Sequence, residues 1–206
     1  MIKYFVRTTG ERALDESFSQ IDYELLLDTE HKPVKSFIEQ LEYLGNLDCD
    51  AVLLEDDLIL CKDFKNRIEE AISNYSNKII NFFTYPQKYF KTDESRLFMF
   101  NQCTYYPKGI SKSIATEMKK ITNCKQYDVM EDVALNKLRL THIRYRPCLV
   151  QHIDNGSLIG NTSVNRNTPY FIDYLDELGI SYEDAIKTEN KEKLMALMES
   201  HLLTKK

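Results

Sequence analysis

The stretch Ala51-Val52-Leu53-Leu54-Glu55-Asp56-Asp57-Leu58 decides the fold of this chain. Four apolar residues run directly into three consecutive acids. A short apolar run bounded by polar residues is typical of a fully buried strand, usually a central strand of a parallel sheet. The acids then lie at the carboxyl end of the strand, where open α/β sheets bind their ligands. We therefore predict an α/β fold with a ligand site at these acids.

The charge of the acidic triplet limits what can surround it. Three adjacent carboxylates repel one another, so the fold must bring a cation or basic side chains to them. Acid-x-acid spacing suits a hard divalent cation that keeps other positions open for phosphate oxygens. A solvated turn before the next helix is the alternative for a bare Glu-Asp-Asp, and the apolar run before it favours a site.

Composition places the chain among ordinary soluble globular proteins. Its 206 residues suit one domain, or one domain with a small appendage, and hydrophobic residues make up 43%. A net charge of −5 argues against a general binder of nucleic acid or anionic membranes. The five cysteines include no Cys-x-x-Cys pair, which indicates free thiols in a reducing compartment. With no apolar leader and no membrane-spanning run, we expect a soluble, cytoplasmic protein.

Predicted strands and helices alternate along the first half of the chain. Strand-like segments at 2–6, 23–27 and 78–83 join the central strand, and helical periodicity lies between them, which is typical of a βαβ series. Capping patterns predict that Gly45 stops the first helix. They also predict helix starts at Asp63, Ser111, Asp128-x-x-Glu131, Thr168-Pro169 and Ser181-x-x-Asp184. The fold class is thus α/β, with a mixed, mostly parallel sheet flanked by helices.

Two motifs resemble one enzyme family. Leu54-Glu55-Asp56-Asp57 followed by Cys61-x-x-Phe64 resembles the metal-binding segment of GT-A-fold glycosyltransferases, which are nucleotide-sugar enzymes. Pro147-x-Leu149-Val150-Gln151-His152-Ile153 with Ser157-Leu158 resembles their late segment, in the form found in N-acetylglucosaminyltransferase-four relatives and small bacterial and viral transferases. The resemblance implies a GT-A-like catalytic domain over residues 1–167, with residues 168–206 as a helical extension packed on it.

The resemblance implies a metal site. Asp57 is the first choice for direct coordination of Mn²⁺ or Mg²⁺, and Glu55 would bind directly or through water. Asp56 would assist or face the ribose, although it is the main ligand if the neighbouring acids point the other way. His152 would bind the metal or the diphosphate, and a core histidine satisfied by a backbone carbonyl is the alternative.

Donor-binding residues are expected at two places. Arg7 and Thr8 follow the first strand, where GT-A enzymes receive the base and ribose, and an ordinary polar turn is the alternative. Ser157 and Arg166 lie in a later loop rich in Gly, Asn and Ser, where a hydroxyl and a guanidinium could close over phosphate oxygens. An exposed surface arginine is the alternative for Arg166.

Acceptor and catalytic residues are also implied by the resemblance. Tyr105 and Tyr106 would form the acceptor or sugar wall, although most tyrosines are simply half-buried. Asp132 matches the family's base position. Its neighbour Glu131 is the other candidate acid, but the capping box with Asp128 already explains it.

These motifs predict a metal-dependent hexosyl- or N-acetylhexosaminyl-transferase that moves a sugar from a nucleotide diphosphate, expected to be a UDP-sugar, to an acceptor hydroxyl. Inversion is expected, because it needs one carboxylate base and no enzymic nucleophile. The acceptor is a carbohydrate or glycolipid, or alternatively a modified DNA base. A metal-dependent nucleotidyl or phosphoryl transferase and a non-catalytic module holding a structural cation are the other hypotheses.

Overall fold

A computed structural model describes residues 1–83, 92–98, 101–153 and 167–204 of the chain. The strands are β1 (Ile2–Thr8), β2 (Tyr23–Leu27), β3 (Asp50–Glu55), β4 (Leu58–Leu60), β5 (Ile79–Asn81), β6 (Asp93–Ser95), β7 (Cys103–Tyr106), β8 (His142–Arg144) and β9 (Val150–His152). The α-helices are α1 (Pro33–Asn46), α2 (Phe64–Asn74), α3 (Ile110–Met118), α4 (Tyr127–Lys137), α5 (Ile172–Leu178), α6 (Tyr182–Ala185) and α7 (Thr188–Thr204). A 3-10 helix spans Glu16–Gln20.

The main sheet has seven strands in the order β2-β1-β3-β7-β5-β8-β6. Strands β2, β1 and β3 are parallel to one another, and β5 is parallel to β8. Strand β7 runs antiparallel between β3 and β5, and β6 is antiparallel to β8 at the sheet edge. The predicted α/β class with a mixed sheet flanked by helices is confirmed, and β3 is central as expected.

Strand β3 is buried on both faces, as its continuous apolar sequence predicts. Ala51 and Leu53 belong to a core cluster that includes residues of α1, α3 and α4. Val52 and Leu54 belong to a second cluster, which includes residues of α2, α5, α6 and α7. Because successive side chains of a strand point to opposite faces, Glu55 at the end of β3 lies on the same face as Leu53.

The C-terminal helices share this second cluster with the sheet. Leu194 and Met198 of α7 are buried in it, together with Tyr174 and Leu175 of α5 and Ala185 of α6. The C-terminal helices therefore pack on the body of the protein. No helix among the described residues is long and apolar enough to cross a membrane.

A two-stranded sheet, β4 with β9, positions the later motif. Strand β8 belongs to the main sheet, whereas β9, a few residues later in the chain, belongs to the small one. In the antiparallel pairing, Leu58 lies opposite His152, and the Ile153 N–H donates to the Asp57 carbonyl at 2.7 Å. The Gln-His segment is thereby held directly beside the acids.

Two predicted helix boundaries, at Gly45 and Ser111, are wrong, whereas the predicted start at Asp63 is correct but lacks the predicted side-chain cap. Gly45 lies inside α1, where it allows the close approach of α3 at Lys112. Asp63 precedes α2 but makes no side-chain cap, and Gln20 accepts the Phe64 N–H instead. Ser111 is inside α3, which begins at Ile110.

Two later boundaries also differ. Helix α4 begins at Tyr127, so Asp128 and Glu131 do not form a capping box, and Glu131 points into the core. Thr168 accepts the Tyr170 N–H in a turn, and α5 starts only at Ile172. The Ser181 cap is confirmed by its bond from the Asp184 N–H. The five cysteines, all within the described residues, are free as predicted.

Gly45→Ala tests whether helix spacing decides this position. An ideal Cβ there would lie 2.7 Å from the Lys112 Cα, so α1 and α3 would have to separate. We expect the free energy of unfolding to fall by about 1–3 kcal/mol, as overpacking typically costs. Helix propensity alone predicts the opposite, a gain of about 1 kcal/mol. Urea unfolding monitored by circular dichroism distinguishes the two signs.

Candidate functional site

The acidic triplet lies at the carboxyl ends of β1 and β3. Glu55 is the last residue of β3 and is in register with Arg7 on β1. The side chains of Glu55, Asp56 and Asp57 are only 12%, 10% and 15% exposed. Three neighbouring carboxylates are thus almost removed from water, and each needs a partner.

Asp57 is held by two basic side chains. Its Oδ2 accepts a hydrogen bond from Arg12 Nη1 at 2.9 Å and lies 3.2 Å from His152 Nε2. Burial acts to raise the pKa of Asp57, but His152 and Arg12 outweigh it and lower that pKa. Its other oxygen, Oδ1, is buried and has no hydrogen-bond partner among the described residues.

Asp56 faces the end of β1. Thr8 Oγ1 donates to Asp56 Oδ2 at 2.5 Å, and Arg12 Nη1 lies 3.7 Å from Asp56 Oδ1. The Thr8 hydroxyl is itself oriented by the Gly10 N–H, which donates to it at 2.9 Å. Gly10 has a φ of +81°, a conformation that glycine adopts without strain. Burial raises the pKa of Asp56.

Glu55 points into the opposite layer. Its Oε1 accepts a hydrogen bond from the Tyr127 hydroxyl at 2.6 Å and lies 3.7 Å from Arg7 Nη1. The Arg7 guanidinium stacks between Tyr127 and Phe37, at 4.3 and 4.9 Å from the ring centroids. Burial, followed by the charge of Asp57, raises the pKa of Glu55. This carboxyl is therefore engaged in a packed network behind the other two.

The two residues of the Gln-His segment have different roles. Gln151 is fully buried, and its amide bonds both the carbonyl and the N–H of Thr168, at 2.8 and 2.9 Å. It thus fixes β9 to the start of the C-terminal segment. His152 faces Asp57, and its Nδ1 is buried with no hydrogen-bond partner in the described part of the chain.

The unpartnered atoms indicate what could bind here. Asp57 Oδ1 and His152 Nδ1 are buried and available, whereas Glu55 is occupied by Tyr127. Within residues 1–83, 92–98, 101–153 and 167–204, no three His, Cys, Asp or Glu side chains are placed to hold one metal ion. Mg²⁺ is usually bound through one or two carboxylates, with water and substrate phosphates completing its shell. The unpartnered oxygen of Asp57 fits a cation of that kind.

The two acids considered as the base lie in a different setting. Glu131 is fully buried and accepts hydrogen bonds from the Tyr106 hydroxyl and the Asn101 amide, both at 2.7 Å. Burial raises the pKa of Glu131 to about 8. Asp132 is half-buried, and its Oδ1 accepts the Phe98 N–H at 2.7 Å. Among the described hydrogen bonds and ion pairs, none joins either acid to the triplet.

The remaining predicted residues divide into two groups. Tyr105 and Tyr106 lie on β7 and are 3% and 1% exposed, so an acceptor cannot stack on either ring in this conformation. Tyr106 is instead part of the Glu131 network. Ser157 and Arg166 lie outside the described residues.

Sequence reasoning missed two residues of the site, Arg12 and Tyr127. Arg12 comes from the segment after Gly10, and Tyr127 opens α4. A basic residue shortly after a glycine turn at a strand's carboxyl end is a local signal that could have identified Arg12. Nothing local distinguishes Tyr127, because its contact with Glu55 joins distant parts of the chain.

Comparison with protein-family models gave no match, and comparison with curated protein sequences gave none either. The geometry of the site and the two motifs are therefore the features that bear on function.

Glu131→Gln tests the buried acid through pH dependence. A carboxyl has a pKa near 4.5 in the unfolded chain and about 8 here, so the folded protein binds more protons between these values. Its contribution to stability is complete below a pH of about 4.5 and is lost as the pH rises to about 8. We expect the wild type to lose on the order of a few kcal/mol over this range.

Glu131→Gln should flatten that decline, and urea unfolding at several pH values measures it. Glu39→Gln, at a side chain 60% exposed, is the control. Parallel profiles for the wild type and Glu131→Gln would contradict the assignment.

Proposed function

We propose that this chain is a metal-dependent glycosyltransferase with a GT-A-like fold, which moves a sugar from a nucleotide diphosphate to an acceptor hydroxyl. The observation that carries the proposal is the 3.2 Å approach of His152 Nε2 to Asp57 Oδ2. Each residue belongs to one of the two motifs that resemble these enzymes. Their meeting at the carboxyl end of a central parallel strand supports a common ligand site.

The donor nucleotide is proposed to lie along the ends of β1 and β3. Thr8 would receive its ribose, with the Thr8–Asp56 pair offering polar atoms to the ribose hydroxyls. Arg7, packed between Tyr127 and Phe37, would support this end of β1 rather than contact the base. Arg12 would lie toward the diphosphate, because a guanidinium matches phosphate oxygens well. Ser157 and Arg166 remain proposed contacts to the same phosphates.

Asp57 and His152 are the residues that would hold Mn²⁺ or Mg²⁺. Such an ion, when bound, supplies Lewis-acid stabilisation of the negative charge that develops on the departing diphosphate. The protein contributes an Asp57 whose lowered pKa keeps it ionised, and a fixed His152 ring held in place by β9. Burial of these groups strengthens their interaction with a charged ligand, because water screens them less.

Asp132 is the proposed base that accepts the proton of the acceptor hydroxyl. Inverting transfer needs one carboxylate base within reach of the acceptor. Glu131 is a poor candidate, because it is fully buried and its raised pKa favours the neutral acid. A carbohydrate or glycolipid is the proposed acceptor, and the net charge of −5 makes a modified DNA base the weaker choice.

Asp57→Asn tests the donor site. The amide keeps the size of the side chain but removes its charge, so transfer should fall on the order of 10²–10³-fold, as for loss of one preorganised electrostatic group. Release of nucleotide diphosphate from a panel of nucleotide sugars, with and without Mn²⁺, measures the effect, and circular dichroism checks folding.

Undiminished turnover in Asp57→Asn, or full activity in excess chelator, would contradict the proposal. Release of sugar 1-phosphate, with the nucleoside monophosphate passed to an acceptor or to water, would indicate a nucleotidyl transferase.

Asp132→Asn tests the base. Loss of a positioned base typically costs about 10²–10⁴-fold in rate, so turnover should fall by that factor while nucleotide affinity stays unchanged. Glu131→Gln is the matched control and should retain transfer. The opposite pattern, with Glu131→Gln inactive and Asp132→Asn active, would show that Glu131 and not Asp132 is the base.

A further inference from the structure

The guanidinium of Arg12 lies where it would repel a metal ion bound at Asp57. Its Nη1 lies 2.9 Å from Asp57 Oδ2 and 3.7 Å from Asp56 Oδ1, and its side chain is only 15% exposed. One positive charge is thus inserted between two carboxylates of the motif. A divalent cation at Asp57 would lie a few ångströms from this guanidinium, where like charges repel strongly in a poorly hydrated site.

The acids also depend on Arg12 when no ligand is bound. Two adjacent buried carboxylates without a cation are costly, and Arg12 is the basic side chain that meets both. Asp57 has His152 as a second partner, but Asp56 is otherwise bonded only to the neutral Thr8 hydroxyl in the described contacts. In the free protein, Arg12 therefore supplies the positive charge that the two carboxylates need.

We propose, building on the proposed function, that Arg12 is a positioning residue that couples the metal to the diphosphate. In the free protein its guanidinium neutralises Asp56 and Asp57 and weakens binding of a divalent cation. A nucleotide diphosphate offers the guanidinium new anionic partners, so Arg12 moves from the carboxylates to the phosphates and the cation takes its place at Asp57. Metal and nucleotide then strengthen each other's binding.

This exchange has a thermodynamic signature. If the diphosphate removes the competing charge, it must tighten metal binding, and by reciprocity the metal must tighten diphosphate binding by the same factor. Such coupling is typically about 5- to 150-fold. Removing the Arg12 charge should change two quantities in opposite directions. The affinity for the metal without nucleotide should rise, and the coupling between metal and diphosphate should decline.

The test is a titration of Mn²⁺, with and without uridine diphosphate, into the full-length wild type and Arg12→Gln, followed by the electron paramagnetic resonance of free Mn²⁺. We expect Arg12→Gln to bind Mn²⁺ alone about tenfold more tightly than the wild type. We also expect uridine diphosphate to tighten Mn²⁺ binding about tenfold in the wild type and less than about threefold in the variant. Arg67→Gln, which removes an arginine paired with Asp176 at 2.7 Å, is the control and should match the wild type.

Arg12→Lys gives a second measurement if Arg12→Gln does not fold. A lysine keeps the charge but lacks the planar fork that meets both carboxylates, so its Mn²⁺ affinity should lie between those of the other two proteins. Thermal melts with and without Mn²⁺ provide an independent readout, in which the metal should raise the melting temperature of either variant more than that of the wild type.

The outcomes separate this inference from the function on which it rests. Equal or weaker Mn²⁺ binding in Arg12→Gln, with Mn²⁺ binding intact in the wild type, overturns the role of Arg12 and leaves the proposed function standing. Absence of Mn²⁺ binding in every protein, with and without uridine diphosphate, overturns both.

Discussion

Burial of three consecutive carboxylates is the constraint on which the rest of the site depends. Carboxylates taken out of water need opposite charges and hydrogen bonds, and neighbouring residues of the same strand cannot supply them. Arg7 from β1, Arg12 from the following segment and His152 from β9 supply them instead. The end of β1, the turn at Gly10 and the β4–β9 pair are therefore parts of one electrostatic arrangement.

Glu55 and Asp57 are divided between two sets of partners in this arrangement. Glu55, the last residue of β3, enters the layer of α4, where its partner Tyr127 and the stacked Arg7 form a packed network. Asp57 follows the end of β3 and meets Arg12 and His152. The division gives the acids different chemistry, since a carboxyl engaged with a tyrosine is structural, whereas one with an unpartnered oxygen is available to a ligand.

The sequence alone predicted the structure correctly where the interactions that determine it are local. The apolar run before Glu55 predicted a buried strand with acids at its carboxyl end, and helical periodicity predicted the alternation of strands and helices. Capping signals failed where distant residues determine the local structure, as at Gly45, which accommodates α3, and Thr168, which Gln151 holds in a turn. Tyr127 could not be placed beside the acids from sequence, because its contact with Glu55 joins distant parts of the chain.

The pairing of β4 with β9 also determines when the site can form. These strands lie at positions 58–60 and 150–152, and closing a loop of that length costs entropy that local contacts cannot offset. The topology therefore predicts that the pair forms after the sheet and helices between them have brought its ends together. During synthesis the acids leave the ribosome well before the histidine, so an incomplete chain carries the carboxylates without their partner. Assembly of the site thus requires that the chain has been translated beyond His152.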